Sequence, residues 1–369
     1  MPTKDRVTIG SPRVLIPGAA SEPVTDVLAA NNNLDACDHD GRRYLAWRTA
    51  PTHFASSEAM IHVVSTTDGE SWRFETTVAL ACDVREPRFF VFKGELFLYF
   101  FTLGVDWRRF EAGAIHVTRL IDGTWTTPVA ISDGDCVVWR VRQLDGVPVM
   151  TMYRGSTEMY SNDPVVTTVE FWTTDDGLAW RPLSPTNPTA HVGGTETEVV
   201  PGPGGGWIAV TRKEGPHDFG SDIAYLENLA GPWRIRSYPQ KLDSPYLFRS
   251  GDDVLLIARR TTSFHGDFDL GLNELSLKRR TAILRLVYWA TSKRTTLWRI
   301  DPDSLALERV VDLPGKGDTC FPAVVDEGNG HFRVYNYTSP LDGMDVPWVA
   351  GQLAPTQIYE VDLHVAPPA

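Results

Sequence analysis

The sequence predicts an all-β protein, a six-bladed β-propeller of four-stranded antiparallel blades, on three observations. A turn that ends in Trp recurs, with its Trp at positions 72, 125, 180 and 233, which are 53, 55 and 53 residues apart. Alternating runs that are typical of strands flank the turns, for example residues 61–65 and 73–75. Residues 13–17 form one more strand, without a hairpin partner beside it. A repeat of roughly 40–55 residues is typical of propellers, so we expect residues 1–369 to form a single domain.

The recurring turn has a chemistry that explains its repetition. It reads DGESW at 68–72, DGTW at 122–125 and DGLAW at 176–180, and a shorter copy, GPW, follows at 231–233. In such a turn the Asp accepts hydrogen bonds from its own backbone, and the Gly adopts a positive φ. The Trp covers the hairpin with apolar area.

Taken in order, the blades open near residues 34, 83, 135, 195, 243 and 318. The period breaks near 272–289, where apolar residues at three-to-four spacing predict a short helical insert. The sixth blade is one strand short. We expect the strand at 13–17 to become its outer strand and to close the propeller, because closure removes exposed sheet edges.

The amino-acid composition limits the classes of partner that the protein is expected to bind. The formal net charge of −12 argues against nucleic acid and anionic membranes as partners. No run approaches the roughly 18–20 apolar residues of a membrane span, and the N-terminus leads into no signal sequence, so a cytoplasmic location is expected. The four cysteines show no metal-type spacing, so neither a metal nor another cofactor is expected. The oligomeric state is not predicted.

Polar residues where the first strands open are the site candidates, because these strands converge on the central funnel of a propeller. Carboxylates interleaved with arginines suit a sugar or a sugar acid. The alternative is a set of ion pairs that tie the blades together. The candidates for catalysis are Glu196 and Glu86, and those for substrate binding are Arg48, Arg85, Arg140, Arg154, Arg212, Arg259, Tyr246, Asp318 and Tyr337.

Residues 48–54 form a second point of interest, a loop between the middle strands of the first blade. His53 in this loop is a candidate acid or base near neutral pH. A packed loop with a surface histidine is the alternative. His217 and His265 occupy equivalent loops of blades four and five, which favours a functional role for His53 and leaves a metal site built from all three histidines as a further alternative.

The turns at 65–72 and 173–180 resemble the Asp-boxes, or BNR repeats, of the sialidase-like six-bladed β-propellers. Residues 196–200, with Gly205 and Arg212, are similar to the family stretch E-x-x-V-V…G…R. The resemblance implies that Glu196 activates the nucleophile and that Arg212, sixteen residues later, binds the substrate carboxylate.

Other family positions differ. The triplet at 85–87 resembles the family's Arg-Ile-Pro but falls in blade two, and Asp35 stands where that arginine belongs. Phe321 stands where the tyrosine nucleophile is expected, and Tyr337 is the nearest substitute. His53 or Glu58 lies near the position of the acid/base aspartate. The resemblance therefore favours a separate branch of sialidase-like propellers over a true sialidase.

These observations support three functional hypotheses. The first is a carbohydrate-active enzyme, a glycoside hydrolase that acts on a small glycoside, of either a neutral sugar or a sugar acid, in the funnel. The second is a non-catalytic propeller that binds a glycan or another small ligand. The third is a lyase or isomerase that uses His53 or Tyr337 as its base. The fold does not decide among them.

Overall fold

The structure is a computed structural model that describes residues 3–157, 159–160, 166–215, 219–229 and 231–367. Six antiparallel sheets form within these residues. Each sheet is one blade, and the six-bladed β-propeller predicted from the repeat period is confirmed.

The strands follow one another with little other structure between them. The first sixteen are β1 (Val7–Ile9), β2 (Arg13–Ile16), β3 (Ala30–His39), β4 (Arg42–Ala50), β5 (Met60–Thr66), β6 (Trp72–Val78), β7 (Asp83–Phe92), β8 (Glu95–Leu103), β9 (Ala112–Ile121), β10 (Thr124–Trp125), β11 (Val129–Ala130), β12 (Cys136–Leu144), β13 (Val147–Arg154), β14 (Thr168–Thr174), β15 (Trp180–Pro182) and β16 (Thr189–Val192). The others are β17 (Gly194–Pro201), β18 (Trp207–Glu214), β19 (Phe219–Leu226), β20 (Trp233–Tyr238), β21 (Asp243–Ser250), β22 (Asp253–Thr261), β23 (Lys293–Ile300), β24 (Leu307–Leu313), β25 (Ala323–Gly328), β26 (His331–Thr338) and β27 (Gln357–Val365).

Within each blade, neighbours in sequence pair with one another. Blades one, four and five are β3–β6, β17–β20 and β21–β24. In blades two and three the outer position is divided between two short strands, β10 with β11 and β15 with β16. In blade six the order is β25, β26, β27 and β1, and β2 also pairs with β27.

The outer strand of blade six requires a correction. The predicted strand at 13–17 corresponds to β2 and does pair with the last strand. However, the three-residue strand β1, which was not predicted, also forms this edge, with Val7 opposite Val365. Arg6 anchors β1, since its Nη2 lies 2.7 Å from Oδ2 of Asp253 and both side chains are buried.

The insert in blade five contains the predicted helix, α1 (Leu277–Ala290). The helix begins at 277 and not at 272, because residues 267–276 form turns and irregular backbone. Its buried residues are Thr281, Leu284 and Tyr288, which lie on one face. A second short helix, α2 (Trp348–Gln352), packs against α1, and two 3₁₀ turns span Thr3–Arg6 and Phe264–Gly266.

The chain forms two compact units. The first unit comprises Val14–Val192 with Leu353–Ile358, and the second comprises Gly193–Gln352 with both chain ends. In the second unit, alternate residues of β22 face opposite sides. Val254, Leu256 and Ala258 pack with blade four, while Leu255 and Ile257 pack with blade six. The continuous apolar run at 254–258 is therefore buried on both faces, and blade-to-blade contact forms the core.

Two of the recurring turns, at Asp68 and Asp176, have the predicted hydrogen bonds. In the first, Oδ1 of Asp68 accepts from the amides of Glu70 and Ser71 at 2.8 and 2.7 Å. These bonds lower the pKa of Asp68 to about 2. The turn at Asp176 has the same pattern, and the carbonyl of Gly177 also accepts from the Tyr99 hydroxyl at 2.6 Å. The third turn is thus a contact between blades as well as a hairpin.

Candidate functional site

A β-bulge near the start of the first strand recurs in blades one to five. The pairing of the first two strands shifts register between Asn32 and Leu34, Arg85 and Arg88, Val138 and Arg140, Gly194 and Thr197, and Asp243 and Tyr246. A bulge re-aims a side chain and is common beside active sites. Glu86 and Glu196 both lie inside these bulges, so they occupy equivalent places in blades two and four.

The bulges hold strained backbone. Asn33, Glu86 and Ser244 have φ values of 41°, 55° and 51°, a left-handed region that costs a non-glycine residue roughly 1–2 kcal/mol. Such strain clusters at functional sites. The strained residues Asn33, Glu86 and Ser244 therefore lie at the same strand openings as the polar site candidates.

In the second unit, Glu196 and Arg212 meet as predicted. Glu196 lies in the bulge of β17, and Arg212 lies near the end of the antiparallel β18. Nη1 of Arg212 is 2.7 Å from Oε1 of Glu196, and its Nε donates to Thr195 at 2.9 Å. Oε2 of Glu196 accepts from the Ser244 amide at 2.7 Å.

Two further carboxylates share this arginine. Nη1 of Arg212 lies 3.3 Å from Oδ1 of Asp243 and 3.4 Å from Oε1 of Glu214. Lys241 joins the same two carboxylates, at 2.7 Å to Glu214 and 3.4 Å to Asp243. All of these side chains are buried. We call Glu196, Arg212, Glu214, Lys241 and Asp243 the Glu196 cluster.

The insert contributes to this cluster. The Tyr288 hydroxyl of α1 donates to Oδ2 of Asp243. The ring of Tyr288 also lies beneath Nζ of Lys241, 4.3 Å from the ring centroid. Burial and the neighbouring Asp243 raise the pKa of Tyr288 well above its usual value, so the phenol stays protonated and donates.

Asp318, Tyr337 and Arg259 lie in the same unit. Oδ1 of Asp318 accepts from the Tyr337 hydroxyl at 2.9 Å and from Nε1 of Trp348 at 3.0 Å. Arg259 stacks on the Trp348 ring, with Cζ 5.1 Å from its centroid, and donates to the carbonyls of Thr319 and Cys320 at 2.7 and 3.2 Å. Arg259 therefore lies beside aromatic and backbone groups.

Neighbouring carboxylates in the Glu196 cluster have opposite pKa shifts. Burial raises the pKa of Glu196 above its usual value, and Arg212 offsets this only in part. Burial acts on Asp243 in the same direction, but the cations Lys241, Arg259 and Arg212 outweigh it and lower its pKa to about 2. One carboxyl therefore holds a proton more readily than usual, while its neighbour stays ionised.

The first unit contains a different group of charges. Arg48 donates from Nε and Nη2 to the two carboxylate oxygens of Asp83, each at 2.8 Å, and both side chains are fully buried. Nη2 of Arg85 lies 3.0 Å from Asp83 and donates to the carbonyl of His53 at 2.7 Å. Burial opposes the charge of Asp83, but the two arginines lower its pKa. His53 thus contacts this group of charges through its backbone carbonyl, which accepts from Arg85.

Arg140 and Glu86 lie in the same unit. Nη1 of Arg140 is 3.4 Å from Oδ1 of Asp35, and Arg88 stacks on Trp139 with Cζ 4.7 Å from the ring centroid. Burial raises the pKa of Asp35 despite Arg140 and Arg88. Glu86 is buried in the bulge of β7.

The remaining predicted residues lie elsewhere. Tyr246 packs between blades five and six, where its hydroxyl donates to the carbonyl of Val324 at 3.0 Å. Arg154 lies 3.3 Å from Glu170 and 5.4 Å from the centroid of the Trp172 ring. His217 lies outside the described residues.

Several residues of the Glu196 cluster and of the charged groups around Asp318 and Asp83 were not predicted from the sequence. Asp83, Glu214, Lys241, Tyr288 and Trp348 were not among the candidates. Glu214 and Lys241 look like ordinary surface charges in the sequence, and no local pattern places them together. Tyr288 was not among the apolar residues whose spacing predicted the helix, and three of those residues, Ile283, Leu286 and Trp289, are exposed. Within the described ranges, no group of three or more His, Cys, Asp or Glu side chains is placed to hold a metal ion.

Comparison with known proteins shows the fold alone. No family model and no curated protein matches the chain. A protein of unknown function from Dyadobacter fermentans DSM 18053 is 14% identical, with a TM-score of 0.64 over 99% of this chain and 100% of that one. Trypanosoma rangeli sialidase is 12% identical, with a TM-score of 0.59 over 91% of this chain and 55% of its own length. Phage phi92 endosialidase is 11% identical, with a TM-score of 0.58 over 98% of this chain and 70% of that one. The solved structures that this chain resembles thus include sialidase-type six-bladed propellers.

No helix in the described residues is long and apolar enough to cross a membrane.

Proposed function

We propose that the protein is a carbohydrate-active enzyme, a glycoside hydrolase whose substrate is a small glycoside with an acidic group. The observation that carries this proposal is the pair Glu196 and Asp243, which share Nη1 of Arg212 and yet have pKa shifts in opposite directions. Glycoside hydrolysis needs one carboxyl that holds a proton and one that stays ionised.

The separation of the pair fits this chemistry. Their contacting oxygens lie 2.7 and 3.3 Å from Nη1 of Arg212. They are therefore at most about 6 Å apart, below the roughly 6.5–9.5 Å of inverting pairs and compatible with the roughly 5–5.5 Å of retaining pairs. In this proposal Glu196 is the general acid and base, and Asp243 stabilises the developing positive charge of the sugar.

Arg259 supports an acidic group on the substrate. In the described part of the chain it forms no ion pair with a carboxylate within 4.0 Å, although its side chain is buried. Nε and Nη2 of Arg259 already donate to the carbonyls of Thr319 and Cys320, so a substrate carboxylate would bind at Nη1 through a charge-assisted hydrogen bond. The proposed substrates are thus glycosides of sugar acids, and the sialidase-type fold of the structural neighbours is compatible with this class.

A non-catalytic glycan-binding propeller is the second candidate. It is favoured by Phe321, which stands where the resemblance calls for a tyrosine nucleophile. It is also favoured by Tyr337, whose hydroxyl is committed to Asp318 at 2.9 Å and whose pKa burial raises well above the usual value. In this case Arg259 would still hold the acidic group.

The test compares Glu196→Gln with Glu308→Gln, an exposed glutamate of β24 in the same unit. Wild-type protein and both variants are assayed on chromogenic glycosides of uronic acids, of N-acetylneuraminic acid and of neutral sugars. We expect turnover of an acidic glycoside that Glu196→Gln lowers about 10²–10⁴-fold, the usual contribution of a general acid or base. Glu308→Gln should keep full turnover and melt near wild type. Glu196→Gln loses its charge beside Arg212 and should melt lower, so turnover is compared at a temperature at which circular dichroism shows both variants folded.

The pH profile gives a second readout. If Glu196 donates the proton, the alkaline limb of kcat/KM should follow its raised pKa and should disappear in Glu196→Gln. The proposal of hydrolysis fails if the wild-type protein cleaves none of these glycosides but binds an acidic sugar, which would favour the binding propeller. It also fails if Glu196→Gln keeps wild-type turnover.

A further inference from the structure

Trp348 contacts two charged groups of the second unit at once. Its Nε1 donates to Oδ1 of Asp318 at 3.0 Å, and its ring lies against the guanidinium of Arg259, with Cζ 5.1 Å from the ring centroid. Trp348 begins α2, in the connection between β26 and β27. Its backbone amide donates to the carbonyl of Thr291, the residue that ends α1, at 3.1 Å. One fixed side chain thus contacts both an anion and a cation.

Tyr288 donates to a second carboxylate beside Trp348. Its hydroxyl donates to Oδ2 of Asp243, and its ring meets Trp348 edge to face, with centroids 5.2 Å apart. Tyr288 and Trp348 come from equivalent connections, each of which joins the second strand of its blade to the third, in blades five and six. The two connections therefore bring an aromatic donor to each of two aspartates.

Arg259 is electrostatically coupled to both aspartates but forms no ion pair with either within 4.0 Å. Burial alone would lower the pKa of Arg259, but four neighbours raise it well above the usual value: Tyr288, Tyr337, Asp243 and Asp318. Its Nε and Nη2 donate to acceptors of the protein. Among the residues that the structure describes, none accepts a hydrogen bond from its Nη1. The guanidinium is thus charged and keeps one nitrogen for a ligand.

The hydrogen bonds of Asp318 explain why it does not pair with Arg259. A buried carboxylate near a guanidinium usually pairs with it, because the pairing offsets the loss of hydration. Oδ1 of Asp318 accepts instead from Nε1 of Trp348 and from the hydroxyl of Tyr337, at 3.0 and 2.9 Å. Hydrogen bonds to a carboxylate stabilise its charged form without a cation. The indole N–H therefore takes a place that Arg259 could otherwise fill.

We propose that Trp348 is a positioning residue that keeps Arg259 open to the acidic group of the ligand, because it holds Asp318 away from the guanidinium. The inference rests on the proposed binding of that group at Arg259, and it applies to a hydrolase and to a binding propeller alike. Without the indole N–H, Asp318 pairs with Nη1 of Arg259 and competes with the ligand. A neutral sugar does not need Arg259, so Trp348 determines the preference for an acidic ligand.

The test is a ligand-observed NMR titration of the full chain. The acidic probes are methyl β-D-glucuronide and N-acetylneuraminic acid, and the neutral probe is methyl β-D-glucoside, which lacks the carboxylate. Trp348→Phe keeps an aromatic face for Arg259 but removes the N–H. We expect it to weaken the binding of an acidic probe about tenfold and to leave the affinity for the neutral probe unchanged. Trp289→Phe, at an exposed tryptophan of α1, is the matched control and should bind as wild type does.

A double-mutant cycle separates positioning from a purely structural role. Trp348→Phe should weaken acidic binding about tenfold when Asp318 is present, but less than about twofold in the Asp318→Asn background. The reason is that an asparagine carries no charge with which to pair with Arg259. Circular dichroism at the assay temperature shows whether each variant is folded. Equal losses in the two backgrounds would mean that Trp348 acts only through the local fold, and the inference would be overturned.

Other results would also overturn the inference. It fails if Trp348→Phe binds the acidic probes as tightly as Trp289→Phe does, or if the neutral probe loses as much affinity as the acidic ones. It fails too if the wild-type protein binds neither acidic probe. The proposed hydrolysis is judged separately, by the turnover of wild type and of Glu196→Gln, because binding at Arg259 does not require cleavage.

Discussion

Replacing Arg212 with Met should destabilise the second unit strongly. The side chain of Arg212 is only 8% exposed, and it lies within 3.4 Å of three carboxylates, those of Glu196, Asp243 and Glu214. Methionine fills a similar volume and removes the charge, so Glu214 and Asp243 keep only Lys241 as a close ion-pair partner, and Glu196 loses its ion pair. Breaking a buried ion pair costs about 3–5 kcal/mol, which lowers Tm by roughly 6–20 °C in a unit of this size.

The loss of stability caused by Arg212→Met should depend on pH in a defined direction. The pKa of Asp243 is about 2 in the folded protein and about 3.9 in an unfolded chain. Its contribution to stability is therefore fully present above about pH 4 and is lost as the pH falls through about 2. Without Arg212 the pKa of Asp243 rises, and the carboxyls take up protons at a higher pH. The deficit of Arg212→Met should be largest at pH 7 and should shrink towards pH 4.

Differential scanning calorimetry at several pH values would measure this. Arg309→Met is the matched control, because Arg309 forms a close ion pair with Asp312 at 2.6 Å but its side chain is 51% exposed. Exposed pairs contribute about 0–1 kcal/mol, so this variant should melt close to wild type. If Arg212→Met melts like Arg309→Met, or if its deficit stays constant between pH 7 and pH 4, the buried cluster does not stabilise the unit as argued.

Two further predictions concern the blade contacts and the insert. Gly177→Ala should destabilise by about 2–4 kcal/mol in thermal melts, because a Cβ there would lie 2.7 Å from the Phe97 ring and φ is 75°. Gly69→Ala, with the same φ and nothing within 4 Å of its Cβ, should lose only about 1–2 kcal/mol, and equal losses would refute the contact argument. Tyr288→Phe removes the hydroxyl that donates to Asp243 and should lower stability by about 1–3 kcal/mol in urea titrations. An unchanged midpoint would mean that α1 does not support the cluster.

Much of the fold could be read in the sequence because its signals are local. A turn such as DGESW specifies its own hydrogen bonds within five residues, and a strand shows its burial within a few alternating positions. Spacing then gives the number of blades without knowledge of any long-range contact. The edge strand β1 was missed because three residues are too short to show a period.

The contact of Glu196 with Arg212 was also predictable, since both lie on neighbouring strands of one blade. When two antiparallel strands pair, the sequence positions of two residues determine whether they lie side by side. Strand pairing could not predict the position of Lys241, which precedes blade five, or of Tyr288, which belongs to the helical insert of blade five. Their positions depend on how a loop and a helix pack, and nothing in a short stretch of sequence determines that.

The sequence by itself determined the repeat, the strand pattern and the helical insert of this protein. Only the tertiary structure decided which charges meet, which of them are buried, and in which direction each pKa moves. The physical reason is that hydrogen bonding within turns and strands acts over a few residues. Desolvation and ion pairing act instead through space, and they depend on every element that packs around Glu196 and Asp243.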